Sequence, residues 1–479
     1  MHLTELLSGI ACEIIGDADI DVSALCHRTD KVTKGCLFIC IKGGQADSHD
    51  MAYRAVYDGA KALVVERILP NINATQILVS QSRSAMALLA KNFYHHACQK
   101  LKIVCIIGTN GKTSTTYLAR GIFDAAGYKT AVIGTNGVFI GDKRYETQLT
   151  TPDPIELHGW FDKMAEEGVK YVFMEASAHA IFLNKLDGVI ADLAAFTNLS
   201  QDHLDFFPSM KEYAACKKSF FNRHHAKVCV VNADDELGKE IIAQNRIPCV
   251  SYGYTCPSEV FALDVKDGEE GLEYVINIFD DIGRVNYPNL HGLFNVYNTL
   301  CASTIARVFG IKLPEIVKGI QSVKRIDGRN ETLYRGDGLK IVVDFAHTPD
   351  GVENILSYLK KDCKGKLITV FGCGGDRDRF KRPLMGKIVS KYSDYCIITN
   401  DNPRFEPPHA IMADIECGVE IKYDKIAERK EAILSALKSA LPNDTVAILG
   451  KGAERFQEIE GRKIPYSDFD FLEEILSKK

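Results

Sequence analysis

From residue 101 onward, apolar runs of strand length alternate with stretches of helical character, the pattern of a parallel sheet covered by helices. The first series of expected strands covers residues 103–107, 171–174, 193–197 and 228–231, and a second covers 341–343, 367–371, 395–399 and 446–449. Just past nearly every one stands Gly, Asp, Asn, His or Glu. Open α/β sheets bind ligands beyond the carboxyl ends of their strands, so function is expected in these loops. Between residues 254 and 287 the chain is acidic and Gly-containing with short alternating runs, which predicts a β excursion. Residues 3–96 read as a small mixed domain, with one boundary near Lys100 and another near Ile326. The expectation is an α/β protein of three domains, at 1–100, 101–326 and 327–479, and a chain of 479 residues favours about that number.

Composition narrows the classes. A hydrophobic share of 46% and a charged share of 25% are those of a folded globular protein. A formal net charge of -5 gives no electrostatic case for a nucleic-acid partner. Lys217-Lys218 and His224-His225, taken alone, read as solvated faces. No apolar run approaches the ~20 residues needed to span a bilayer, and the N-terminus lacks a secretory pattern, so a cytoplasmic location is expected. The 15 cysteines are scattered and never spaced C-x-x-C, against both a disulfide framework and a zinc ribbon.

The strongest local signal is Gly108-Thr109-Asn110-Gly111-Lys112-Thr113, directly after an expected strand and before a helical run that starts at Ser114. Such a loop points backbone N–H groups and a helix N-terminus at phosphate, with Lys112 as a point charge and Thr113 offering a hydroxyl to Mg2+. The general pattern has another Gly where Ile106 stands, so this is a shortened variant. Glu175, at a strand end, and His203, in Asn198-Leu199-Ser200-Gln201-Asp202-His203, are further candidates, since Mg2+ accepts such ligands when phosphate supplies the rest.

These residues resemble the Mur ligases. Glu175-Ala176-Ser177-Ala178-His179 is similar to that family's metal-binding strand end, and Phe196-Thr197-Asn198-Leu199 with Asp202-His203-Leu204-Asp205 to its next signature. Then come Leu290-His291-Gly292 with Asn295 and Asn298, Gly328-Arg329, and Asp344-Phe345-Ala346-His347-Thr348-Pro349-Asp350, in the family's order. Thr150-Thr151-Pro152-Asp153, Gly372 to Asp378, and Asp401-Asn402-Pro403-Arg404 resemble the branch that extends a UDP-N-acetylmuramoyl-dipeptide.

The resemblance implies a small domain for the UDP-sugar, a central P-loop ATPase with a parallel sheet, and a C-terminal Rossmann-like domain for the incoming amino acid. It implies ATP and Mg2+ as cofactors and an acyl-phosphate route to an amide, in peptidoglycan precursor synthesis. Lys112 is expected on the terminal phosphates, Thr113 and Glu175 on one Mg2+, and His203 on a second. Lys217 falls where the family carries a carbamylated, metal-bridging lysine, which reverses the solvated reading. Arg329 and His347 are expected on ATP phosphates, Asp344 on ribose, and Asn295 with Asn298 on adenine. Arg28, Thr150, Thr151, Ser177 and Lys185 are expected on the UDP-dipeptide, with Arg377, Asp401, Asn402, Arg404, Gly450 and Glu454 on the amino acid.

Arg404 is expected to grip the distal carboxylate of meso-diaminopimelate and Glu454 its ammonium. L-lysine or another diamino acid is the alternative, and a folylpolyglutamate-synthase-like ligase lies further off. The expected partners are the UDP-N-acetylmuramoyl-dipeptide and a free diamino acid, with no nucleic acid and no membrane span, and the chain is expected to be a monomer. The chain departs from the family at Cys26-His27-Arg28, where Asp-Ser-Arg is usual, and at Ala178, Lys185 and Ala453, where Ser, Arg and His are usual.

Overall fold

The computed structural model describes residues 1–44, 46–244, 246–268, 271–288, 290–336 and 338–477. Two compact units form. The first comprises Met1–Cys105, Tyr128–Ala194 and Phe220–Val228, and the second Ile106–Gly127, Ala195–Ser219 and Cys229–Lys479. The chain passes from one to the other within the strands Lys102–Ile107 and Leu193–Phe196.

In the first unit the N-terminal segment builds a five-stranded sheet in the order Glu13–Ile15, Thr75–Leu78, Ala62–Val65, Leu37–Ile39, Leu25–Cys26. The edge strand Glu13–Ile15 is antiparallel and the others run parallel. Alternate side chains of a strand face opposite ways. Thus Leu37, Ile39 and Val64 enter one core with Met86 and Leu89 of the helix Ser82–Phe93, and Phe38, Leu63 and Val65 enter another with Cys26 and Cys36. Further along, Tyr171–Glu175 pairs parallel with Thr130–Gly134. The latter turns through Thr135-Asn136 into an antiparallel hairpin with Gly137–Ile140. That hairpin departs from the expected parallel pattern: the two-residue turn brings Gly137 opposite Gly134, and Gly137 takes a φ of 106°, which glycine allows.

In the second unit Cys229–Asn232, Cys249–Gly253 and Val260–Gly268 run parallel, and an antiparallel meander continues through Gly271–Ile278 and Asp281–Tyr287. This is the expected β excursion, with residues 269 and 270 outside the described set. The six-stranded C-terminal sheet has the order Glu331–Gly336, Leu339–Asp344, Thr445–Leu449, Leu367–Phe371, Tyr395–Ile398, Tyr423–Lys425, all parallel except the first. Both faces are buried. Val342, Leu367 and Phe371 pack under the helices Pro349–Asp362, Lys381–Tyr392 and Pro408–Glu416; Ile341, Ile368 and Val370 pack under Arg429–Ser439 and Asp468–Leu476. No helix among the described residues is long and apolar enough to cross a membrane.

Candidate functional site

The loop after Lys102–Ile107 is fixed by close approach. A Cβ on Gly108 would collide with the Thr197 hydroxyl, and one on Gly111 would stand 2.5 Å from Asn298 Oδ1. Gly111, at φ 83°, precedes a helix that begins at Lys112, two residues earlier than expected, because glycine takes the left-handed turn that lets the next residues coil. Thr197 Oγ1 donates to Asn110 O (2.7 Å), and Asn110 N donates to Asn198 Oδ1 (2.9 Å). Lys112 Nζ folds back on the carbonyls of Gly108 (3.0 Å) and Thr109 (2.8 Å). Thr113 and Ser114 are buried at the helix start.

Around this loop the second unit gathers most of the expected nucleotide residues. Arg329 Nη2 donates to Thr113 Oγ1 (2.9 Å), and its guanidinium lies over the Phe345 ring at 4.4 Å. Asn298 Nδ2 donates to Asn295 Oδ1 (2.9 Å), and both are buried. Asp344 accepts from the backbone N–H groups of Asn330 and Ala346, and burial pushes its carboxyl up. His203 sits in left-handed backbone with Nε2 3.4 Å from Asp202, and His347 Nε2 is 3.7 Å from the same carboxylate.

Lys217 overturns the solvated reading of its sequence neighbourhood. It is 1% exposed, on the inner face of the helix Met210–Ser219, and its Nζ donates to Gly108 O at 2.7 Å. Burial first, and then the charge of Lys112, hold its amine well below the usual lysine range. Burial thus disfavours the charged form of this lysine. The paired His225, half-buried, stacks on Phe220 at 5.0 Å.

Three contacts here were not among the expected site residues. Lys381 Nζ lies 2.9 Å from Asp202, both buried; burial opposes the Asp202 charge, but Lys381 and His203 hold its carboxyl well below the usual range. Asp350 accepts from Asn110 Nδ2 at 2.7 Å, and Asp378 from Gln201 at 3.1 Å. Asp202, Asp350 and Asp378 all stand inside recognised motifs, so motif membership was the available signal. Lys381 lies just beyond one.

A second cluster of the same unit sits past the carboxyl ends of the C-terminal strands. Asn402 Nδ2 donates to Glu454 (3.0 Å), whose carboxylate also takes Lys451 Nζ at 2.8 Å. Gly450, at φ 110°, leaves room for the buried Asp401 carboxylate. Arg404 pairs with Glu458 at 2.9 Å. Arg377 faces Asp205 at 3.5 Å across a cleft of about 680 Å³ that Leu204, Asp376, Asp378 and Glu406 also line.

The first unit holds its own group. Glu175, 1% exposed, accepts from Thr135 N (2.9 Å) and Thr135 Oγ1 (3.1 Å). Thr151 Oγ1 donates to Glu175 O (2.7 Å) and lies within hydrogen-bond distance of Ser177 Oγ (3.2 Å), and Ser177 caps the short helix Ala178–Phe182. Thr150 reaches the Thr135 hydroxyl at 3.2 Å. Lys185 lies 2.8 Å from Asp153 and His27 3.6 Å from it; burial opposes the Asp153 charge, but the hydrogen bond of His27 and the charge of Lys185 hold its carboxyl well below the usual range. Arg28 pairs with Asp30 at the surface (3.0 Å). Among the described residues no three His, Cys, Asp or Glu side chains form a preformed cation cage.

Residues 106–306 match the Mur ligase middle domain, and residues 328–452 match the Mur ligase, glutamate ligase domain. A UDP-N-acetylmuramoyl-L-alanyl-D-glutamate--2,6-diaminopimelate ligase of Caldanaerobacter subterraneus subsp. tengcongensis is 40% identical over 482 residues, covering 100% of this chain and 99% of its own. A ligase of the same name from Clostridioides difficile is 40% identical over 486 residues and covers both chains completely, 100% of each. A solved structure of a ligase of that name superposes with a TM-score of 0.69 at 29% identity, covering 100% of this chain and 99% of that one. With both domain matches and full-length relatives at this identity, the chain belongs to the Mur ligase family.

Proposed function

We propose that this chain is an ATP-dependent amide ligase that adds meso-diaminopimelate to UDP-N-acetylmuramoyl-L-alanyl-D-glutamate, releasing ADP and phosphate. The observation that carries the reading is the phosphate loop with Arg329 on Thr113 and the buried Lys217 on Gly108 O, an arrangement built to hold transferring phosphate. Two full-length relatives at 40% identity carry the diaminopimelate-ligase name, which favours that amino acid over L-lysine.

In this reading ATP phosphorylates the free D-glutamyl carboxylate. The amine of the incoming amino acid attacks the acyl-phosphate, a tetrahedral intermediate forms, and phosphate leaves. Both steps build negative charge, so the protein's work is positioning and electrostatic stabilisation. Lys112 exchanges its loop carbonyls for the terminal phosphates. Arg329 and His347 add positive or donor groups, Asp344 takes the ribose, and Asn295 with Asn298 the adenine. Thr113, Glu175, His203 and Lys217 are the proposed ligands of two Mg2+ ions, which would neutralise phosphate charge. Lys217 serves as a carbamate: its neutral amine adds to carbon dioxide and loses a proton, giving an anionic oxygen donor suited to Mg2+. The domain bounds 1–100, 101–326 and 327–479 are proposed with it, as are the UDP-dipeptide contacts of Arg28, Thr150, Thr151, Ser177 and Lys185.

Phosphate release from ATP tests the reading. It is expected only with the UDP-N-acetylmuramoyl-dipeptide and meso-diaminopimelate together, with L-lysine about 10²-fold poorer, the order expected when Arg404 has no substrate carboxylate to grip. Hydrolysis independent of either substrate, or a preference for L-lysine, overturns it.

A further inference from the structure

The loop Asp401-Asn402-Pro403-Arg404 does not stand alone; a β-hairpin from far along the chain holds it. Arg404 lies in left-handed backbone at φ 53°, a conformation that needs support from its surroundings. The support comes from the hairpin Phe456–Ile459 with Arg462–Pro465. Arg404 N donates to Glu458 O (3.0 Å), Glu460 N donates to Arg404 O (2.8 Å), and Asn402 Oδ1 accepts from Glu458 N (2.9 Å). The side chain is held as firmly: Nε donates to Glu458 Oε2 (2.9 Å) and Nη1 to Gly375 O (2.7 Å). With two of its three nitrogens tied to opposite walls, the plane and heading of the guanidinium are set. Nη2 has no hydrogen-bond partner among the described residues.

We infer that Glu458 is a positioning residue for amino-acid selection: it clamps Arg404 so that Nη2 is presented to the distal carboxylate of the incoming diamino acid. The inference rests on the amino-acid assignment made above. It also gives the site a charge balance. Arg404 with Glu458, and Lys451 with Glu454, make two neutral pairs joined through Asn402, which accepts from Lys451 Nζ at 3.0 Å. A distal end carrying both carboxylate and ammonium enters without net charge. An end with only an ammonium brings no carboxylate to Arg404 Nη2, which disfavours it.

Steady-state kinetics of Glu458→Gln test this. The variant keeps the shape of the side chain and removes the charge that strengthens its bond to Arg404. The expected result is a KM for meso-diaminopimelate raised about tenfold, as for loss of one charge-assisted contact. Values of kcat and of KM for ATP and the UDP-dipeptide stay within about twofold, and Glu458→Asp recovers part of the loss. In an Arg404→Ala background the same substitution adds nothing. An unchanged KM for diaminopimelate in Glu458→Gln, all three KM values rising together, or an undiminished effect in the Arg404→Ala background overturns the inference. Arg404→Ala with normal diaminopimelate kinetics overturns the assignment of Arg404 and the inference with it. An impaired Arg404→Ala beside a normal Glu458→Gln overturns only the inference.

Discussion

At the scale of single residues, the nucleotide loop turns on side chains whose burial differs from what their neighbours in sequence suggest. Lys112 is tied to two loop carbonyls and, in the proposed function, exchanges them for phosphate, so Lys112→Ala is expected to abolish ligation while thermal unfolding stays within a few degrees of the parent. Near-normal turnover in that variant would remove the loop from the active site. Lys217 makes a different demand. A lysine that is 1% exposed is unfavourable as a cation, and the proposed carbamate would exchange that for a group Mg2+ can use. Lys217→Ala is therefore expected to lose activity by at least 10²-fold, the scale of losing an electrostatic contact to transferring phosphate. Formate or acetate should restore part of it by supplying the missing carboxylate, and labelled bicarbonate should give a carbamate carbon signal in the parent only. Full activity in Lys217→Ala would refute the role.

At the scale of elements, the C-terminal sheet is capped by two helices that a buried ion pair joins. Arg429, on Arg429–Ser439, and Asp468, at the start of Asp468–Leu476, have side chains with 0% exposure. They meet in a two-pronged contact, Nε to Oδ1 at 2.9 Å and Nη2 to Oδ2 at 2.7 Å. Burial by itself would raise the Asp468 carboxyl, but the charge and hydrogen bonds of Arg429 overcome it and hold the carboxyl below its usual range. Arg429→Met leaves that carboxylate buried without its partner and is expected to cost roughly 3–5 kcal/mol of stability. Adding Asp468→Leu should recover much of it, since an apolar pair removes the stranded charge. Denaturant unfolding of the two variants checks this; equal stability of Arg429→Met and the parent would show that the pair does not join the helices. The contribution of Asp468 is present above its unfolded pKa and is lost as pH falls through the lower folded value.

At the scale of the whole molecule, acid stability follows from a histidine the chemistry does not use. His158, fully buried on the helix Pro154–Glu166 against Phe161, has no hydrogen-bond partner on either ring nitrogen among the described residues. Burial, with Lys91 and His96 adding to it, lowers its pKa from 6.5 to about 3. Between those values the unfolded chain takes up a proton that the folded one refuses, so stability is full above the unfolded value and falls as pH drops across that window. His158→Phe is expected to flatten the loss of melting temperature between pH 7 and pH 5; an unchanged slope would show that other groups carry it. What the sequence determined by itself is what lies close along the chain. The strands 367–371 and 446–449, the glycine-rich loop and the order of its motifs were all legible, because strand length, turn chemistry and phosphate binding are local properties. Tertiary structure alone decided which charges became partners. Lys381 meets Asp202 across 179 residues of sequence, and Arg404 meets Glu458 across 54. It also decided that Lys217 is buried and its neighbour Lys218 reaches outward to Glu240. Desolvation depends on what packs around a side chain, and no pattern along the chain carries that, so the same residue type reads alike in sequence whether it ends in water or under a phosphate loop.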